Sequence, residues 1–239
     1  MESSAASVLQ RAVEMDKKEE YTMALVLYQE GLQALVNSIK ETKDATKKKY
    51  FHGKASEYMD RAEKIKTLVE ERKAIGNYRE HKKVEDGSTG NSYATLFGRF
   101  LDETVTHIQI EDPYIRLPHQ CQNLVRLCEL AVQMCKSLSR VTLITTRHPD
   151  DAKNQLARLM ELKGNMQSRL ITFEFSFSDT LHDRKITLSN GWVIKIGRGL
   201  DYFKPPGGKF VLGAFDMELR SCLETAVDIY YFPTLAGKQ

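Results

Sequence analysis

Apolar side chains in the first 86 residues recur at three- and four-residue steps, a pattern that predicts helices and no strands. Val8, Leu9, Ala12, Val13 and Met15 make one stripe, with Ser3 and Ser4 as the expected caps of a first helix. Ala24, Leu25, Tyr28, Leu32, Leu35, Val36 and Ile39 make a second, beginning near Glu20. The polar turn ETKDAT (residues 41–46) offers Asp44 as a cap for a third helix carrying Ala55, Tyr58, Met59, Ala62, Ile65, Lys66, Leu68 and Val69. Gly76 weakens any continuation of that helix, since glycine costs about 1 kcal/mol relative to alanine. Three helices joined by short turns predict an up-down-up bundle.

Further along, the period changes. VTHIQI (105–110) and VTLITT (141–146) read as strands, and LITFEFSF (170–177) alternates with Ile171, Phe173, Phe175 and Phe177 on one face. Helical spacing fills the intervals, from about His119 to Lys136 and over 149–164, where Pro149 suits a first turn. Residues 184–197 predict a hairpin around Asn190-Gly191, a strong two-residue turn signal. Strands separated by helices predict an α/β domain, a mixed sheet flanked by helices on both sides. All six prolines lie in this second part, and the polar run EDGSTGNS separates the halves. The expected division is a bundle over 1–84, a linker over 85–92 and a second domain over 93–239.

Composition narrows the class of protein. With 41% hydrophobic and 28% charged residues the chain is globular, and its net charge of +3 excludes a bulk nucleic-acid coat. No apolar run approaches the roughly 20 residues of a membrane span, so a cytoplasmic protein is expected. Cys121, Cys128 and Cys135 repeat every seven residues, about 10 Å apart on a helix. That is too far for a disulfide and poor for a shared metal; they are expected to be buried apolar fillers, and no cofactor is implied.

Two strings in the helical half, ALVLYQEGLQAL (24–35) and YMDRAEKIK (58–66), resemble the MIT (microtubule-interacting and trafficking) domain. The resemblance implies binding of short helical tails of ESCRT-III subunits in the groove between the second and third helices. It assigns Met59 to the apolar floor of that groove and Asp60 and Glu63 to its acidic rim. A methionine at helical spacing is otherwise read as core, and exposed carboxylates as solvated.

In the second half IEDPYIR (110–116), LHDRKI (181–186) and NGWVIKIGRGLDYF (190–203) resemble the phospholipase D-like domain that follows an MIT domain in one family. That resemblance implies membrane association, homodimerisation, and a role in the final cut of cytokinesis at the midbody, with peripheral attachment to midbody and late endosome membranes. Active phospholipases D carry H-x-K-x4-D. Here His182 occupies the first position, Arg184 replaces the lysine, Ser189 replaces the aspartate, and no second copy exists. Without the orienting carboxylate a nucleophilic histidine is poorly held, which favours a non-catalytic adaptor. The alternative is a phosphodiesterase or phospholipase assembled across a dimer around His182, and the bland reading is a half-buried histidine beside Asp183. Asp112 and Arg116 follow the first strand, where α/β sheets place sites.

Charge placement is the other signal. Arg184, Lys185, Lys195, Arg198, Lys204 and Lys209 stand against Asp201 alone, giving +5 over residues 184–209, with Tyr202, Phe203 and Pro205-Pro206-Gly207-Gly208 among them. A basic, aromatic loop of this kind fits an anionic, phosphoinositide-containing membrane. A solvated hairpin face explains the same charges, and no nucleic-acid motif accompanies them. A second basic run, Lys40 to Lys54, flanks the turn before the third helix.

Overall fold

The computed structural model describes residues 2–76 and 78–233, with side chains from Ala5 onward. Two compact units, Met1–Glu80 and His81–Gln239, divide the chain. In the first, α1 (Glu2–Lys17), α2 (Tyr21–Glu41) and α3 (Ala45–Ala74) follow one another with three-residue connections, so α1 packs on α2 and α2 on α3. The expected caps Ser3 and Ser4 lie outside the described side chains. Asp44 caps α3 as anticipated, accepting from Thr46 N at 2.8 Å and Lys47 N at 3.1 Å. At the other end α3 stops at Ala74, and Gly76 turns the chain with φ of 69°.

The core of this unit is Leu9, Ala12, Ala24, Leu27, Tyr28, Leu35, Ile39, Ile65 and Val69. Arg61 of the YMDRAEKIK string belongs to the scaffold. Its guanidinium donates twice to Asp16, at 2.7 Å each, and Tyr28 Oη donates to the same carboxylate at 3.3 Å. Burial and then Asp16 push the Tyr28 hydroxyl up to about 12.

A seven-stranded sheet builds the second unit from β1 (Arg79–Val84), β2 (His107–Glu111), β3 (Arg140–Thr145), β4 (Thr172–Phe177), β5 (Lys185–Leu188), β6 (Trp192–Ile196) and β7 (Thr225–Tyr231), in the order β1-β7-β6-β5-β2-β3-β4. Strands β2, β3 and β4 are parallel; β5 pairs antiparallel with β2, and β6 and β7 continue antiparallel. A hairpin forms around Asn190-Gly191, but through the three-residue loop Ser189-Asn190-Gly191 rather than the two-residue turn expected: Gly191 N donates to Leu188 O at 3.0 Å, and of the three only Gly191 takes a positive φ, 97°.

Helices α4 (Tyr93–Phe97), α5 (Pro118–Met134) and α6 (Ala152–Gln167) touch one another in series. Both parallel crossovers step the same way along the sheet, which puts α5 and α6 on one face. Flanking on both faces is therefore corrected: helices cover the face of Ile108, Ile110, Val141, Leu143, Ile186 and Ile194. Across register, the opposite face carries Glu111, Lys185, Lys195 and Asp228 in one polar rung, closed by His81 Nδ1 at 2.7 Å from Asp228.

Several boundaries move. The helix expected over 149–164 begins at Ala152, and the strand expected from residue 170 begins at Thr172, after a fully exposed Leu170 with φ of 62°. The polar run 85–92 differs most from its reading as a linker. Gly87 N donates to Cys222 O and Gly90 N to Glu218 O, each at 2.8 Å, and buried Asn91 presents its carbonyl to Tyr202 Oη at 2.7 Å. Its glycines make turns inside the second unit, and β1, assigned to the bundle by sequence, joins the sheet.

Candidate functional sites

On the helical unit, Met59, Asp60 and Glu63 all face outward from α3, Met59 with 49% of its surface exposed. The core reading of Met59 fails here, because the α3 residues that face the bundle are Ala55, Ile65 and Val69. Asp60 and Glu63, three residues apart, bracket the same strip of helix surface. A second concavity was not read from the sequence. It lies between α1 and α3, about 440 Å³, lined by Leu9, Val13, Leu35, Tyr50, Phe51 and Tyr58. Its wall residues sit at ordinary helical spacing, so nothing local distinguishes them from core.

In the second unit the degenerate catalytic motif is taken apart by β5. His182 lies exposed before this strand, whereas Ser189 lies just beyond it. Ser189 Oγ accepts from Thr106 N at 2.9 Å and His107 N at 3.2 Å, so it fixes the start of β2 rather than an imidazole. The Arg184 guanidinium sits 4.5 Å from the Tyr114 ring centre and donates to Gly197 O. The Arg116 guanidinium lies 4.9 Å from the centre of the same ring. Arg184, Tyr114 and Arg116 thus meet at the C-terminal end of β2, while His182 makes no hydrogen bond among the described residues.

Asp112, next to that cluster, is a buried structural carboxylate. It accepts from Tyr114 N and Leu200 N, both at 2.9 Å, and locks the loop after β2 to the loop after β6. Burial raises its pKa, against the two backbone donors and Arg184. Gly199 makes this possible: with φ of 65°, it passes so close that a Cβ there would fall 2.1 Å from Asp112 Oδ2.

The six basic residues do not form one patch. Lys185 is claimed by Glu111 at 3.0 Å and Asp183 at 3.3 Å; burial works against its charge, and these carboxylates more than offset it. Lys204 pairs with Asp86 at 2.7 Å, and Arg184 is engaged as above. Lys195, Arg198 and Lys209 are exposed, Arg198 also donating to Glu224 O at 2.9 Å. Tyr202 and Phe203 are buried at 0% and 7%, which corrects their place on a projecting loop. They pack on Tyr93, with ring centres 5.8 and 5.4 Å away.

What projects instead is the segment after them. Its base is the Phe203–Cys222 bridge, with Lys204 N donating to Ser221 O at 2.9 Å and Leu223 N to Tyr202 O at 2.7 Å. Buried Arg220 ties the interior by donating to the carbonyls of Gly213, Lys204 (3.2 Å) and Ala214 (2.8 Å). Beyond this base Phe210, Leu212 and Phe215 are 99%, 89% and 87% exposed. The apolar run FVLGAF was visible in the sequence; its exposure was not, because an isolated run reads equally as a buried strand. Cys121, Cys128 and Cys135 are buried and free, as expected of apolar fillers, and Cys222 is buried and free as well.

A three-helix bundle followed by a seven-stranded mixed sheet with its helices on one face defines a two-domain chain, all-α and then α/β. Residues 2–67 match the model of the MIT (microtubule interacting and transport) domain, and residues 90–231 match that of the phospholipase D-like domain at the C-terminus of MIT. The chain belongs to the family in which these two domains occur together. It is 44% identical over 230 residues to MIT domain-containing protein 1 of Mus musculus, a match covering 96% of this chain and 92% of the mouse protein.

Proposed function

We infer that the chain is a non-catalytic adaptor whose MIT domain binds C-terminal helical tails of ESCRT-III subunits and whose phospholipase D-like domain associates with anionic membrane. MIT domains commonly bind ESCRT-III, and the exposed Met59 strip, rimmed by Asp60 and Glu63, is the observation that carries the assignment here. An amphipathic tail helix buries leucines against Met59, whose flexible thioether tolerates varied partners. Basic tail residues meet the two carboxylates, a rim contribution of about 0–1 kcal/mol per pair. Membrane association is supported by exposed Lys195, Arg198 and Lys209, with phosphoinositide-rich membrane as the expected target.

Homodimerisation through the second domain raises avidity for two polymeric surfaces, and the setting is abscission at the midbody, with peripheral attachment to midbody and late endosome membranes. Absence of catalysis is part of the same reading, because His182 lacks an orienting partner and Ser189 is committed to the backbone. A phosphodiesterase centred on His182 predicts turnover of bis-p-nitrophenyl phosphate that His182→Ala removes.

The deciding experiment titrates the full chain with fluorescent ESCRT-III tail peptides. Met59→Asp is expected to abolish binding with helix content unchanged. A second reading, favoured by the α1–α3 concavity, predicts that Met59→Asp binds normally while Val13→Asp does not; that result rejects the Met59 assignment.

A further inference from the structure

The segment at residues 205–219 is built unlike an ordinary surface loop. Its base is rigid, closed by a β-bridge and by a buried arginine that donates to three backbone carbonyls. Its apex, PPGGKFVLGAF, presents Phe210, Leu212 and Phe215 almost wholly to solvent and includes one charge, Lys209, with no carboxylate. Monomeric proteins scatter single exposed apolar residues; three large ones on one apex mark an interaction site.

A concavity of about 450 Å³ opens at the foot of the apex, between Pro205, Pro206 and Ala214 on one side and the first turns of α5 on the other. Arg126, Lys204 and Arg220 line it against one carboxylate, Asp201. That carboxylate is already held by His119 Nε2 at 3.2 Å, Gln120 Nε2 at 3.0 Å and Asn123 Nδ2 at 3.1 Å. Lys204 leans to Asp86, and Arg220 is used by the loop itself. Among the described residues Arg126 gives one hydrogen bond, to Asn123 Oδ1 at 2.7 Å, and its guanidinium, with five donors in all, lines the concavity.

We propose that residues 205–215 are a membrane-inserting apex and that the concavity at its foot, through Arg126, receives the phosphate of an anionic phospholipid headgroup. Apolar side chains and a lysine without carboxylates suit the interface of a bilayer, where acyl chains take the rings and headgroups take the cation. Guanidinium matches phosphate bidentately. A convex apex with a cationic hollow directly behind it fits a lipid better than the flat, self-complementary patch of a second copy. The inference rests on the membrane reading of this domain and names the part that enters the lipid.

The test uses the full chain carrying Phe210→Trp, with vesicles of phosphatidylcholine alone or mixed with phosphatidylserine. The added indole is expected to shift to the blue and to be quenched by brominated lipid, at much lower lipid concentration on mixed vesicles than on neutral ones. Replacing Phe210, Leu212 and Phe215 together by serine is expected to weaken cosedimentation about a hundredfold or more, with the emission of native Trp192 unchanged. Arg126→Ala is expected to weaken binding to mixed vesicles about fivefold and leave the weak binding to neutral ones unaltered. Soluble glycerophosphoserine is expected to compete poorly, because it lacks the acyl chains.

Cosedimentation without a blue shift overturns the insertion while leaving membrane association standing. No cosedimentation of the unsubstituted chain with any vesicle overturns the membrane reading itself. A blue shift that follows protein concentration in the absence of vesicles assigns the apex to a second copy and rejects the proposal.

Discussion

Replacing Gly199 by alanine tests how firmly the buried carboxylate of Asp112 organises the second unit. Three costs add. A non-glycine residue at φ of 65° costs about 1–2 kcal/mol. The new Cβ lies 2.1 Å from Asp112 Oδ2 and 2.7 Å from its Cγ, so this short, 2% exposed side chain has to swing away. Doing so strands the Leu200 and Tyr114 amides, each now donating at 2.9 Å, at about 1–2 kcal/mol apiece. The total is about 4 kcal/mol. With a urea slope of about 2 kcal/mol/M for a unit this size, the midpoint is expected to fall by about 2 M. The single tryptophan, Trp192, is buried at 6% in the same unit, so its fluorescence reports this transition directly. Gly199→Asn separates the causes, because asparagine tolerates positive φ yet carries the same Cβ. It is expected to be nearly as unstable as the alanine variant. A midpoint within 0.3 M of the parent for Gly199→Ala, on the same slope of about 2 kcal/mol/M, refutes the carboxylate lock.

Arg61→Ala and Asp16→Ala, combined in a double-mutant cycle followed by helix content, are expected to show about 1 kcal/mol of coupling, as befits a bidentate pair whose arginine is half exposed; tail binding is expected to survive in both. His107 is held below its ordinary value of 6.5, first by burial and then by Arg140. The folded chain therefore binds that proton less readily than the unfolded one. Its stabilising contribution is complete above pH 6.5 and declines as pH drops through the window beneath it, so His107→Gln is expected to flatten the melting-temperature profile below pH 6.5. Burial pushes Cys128 and Cys135 up to about 12, and all four thiols are buried. Native protein at pH 8 is expected to react negligibly with a disulfide reagent over minutes, and to release four equivalents once unfolded.

Features governed by local chemistry were legible without coordinates. Asp44 caps α3 because its carboxylate reaches the amides of Thr46 and Lys47, and the chain reverses at Asn190-Gly191 because Gly191 accepts the positive φ that closes a three-residue loop. What escaped depends on distant partners. Strand β1 reads REHKKV, too charged to announce itself, and is recruited by β7 far along the chain. The run 85–92 has linker composition, yet Glu218 collects it, accepting from Ser92 N at 3.2 Å and Thr95 Oγ1 at 2.8 Å. Arg61 stood inside the string that pointed to peptide binding, and only its position opposite Asp16 separates it from Met59. A motif marks a surface strip and the scaffold behind it with equal weight.

The same limit applies to charge, and it changes how membrane binding should respond to salt. Counting gave +5 over residues 184–209, but Arg184, Lys185 and Lys204 are engaged internally, leaving Lys195, Arg198 and Lys209 exposed. At about 1 kcal/mol per basic residue near an anionic leaflet, three contribute about 3 kcal/mol, too little to hold the protein once salt screens them. Phe210, Leu212 and Phe215, each placing half of its surface in lipid, add about 1 kcal/mol apiece, and salt does not weaken that part. Liposome cosedimentation should therefore fall on raising salt to a plateau rather than to zero, and the serine variant of the apex should lose the plateau alone. A purely electrostatic surface predicts the opposite: both proteins would detach together at high salt, and the apex would be irrelevant to binding.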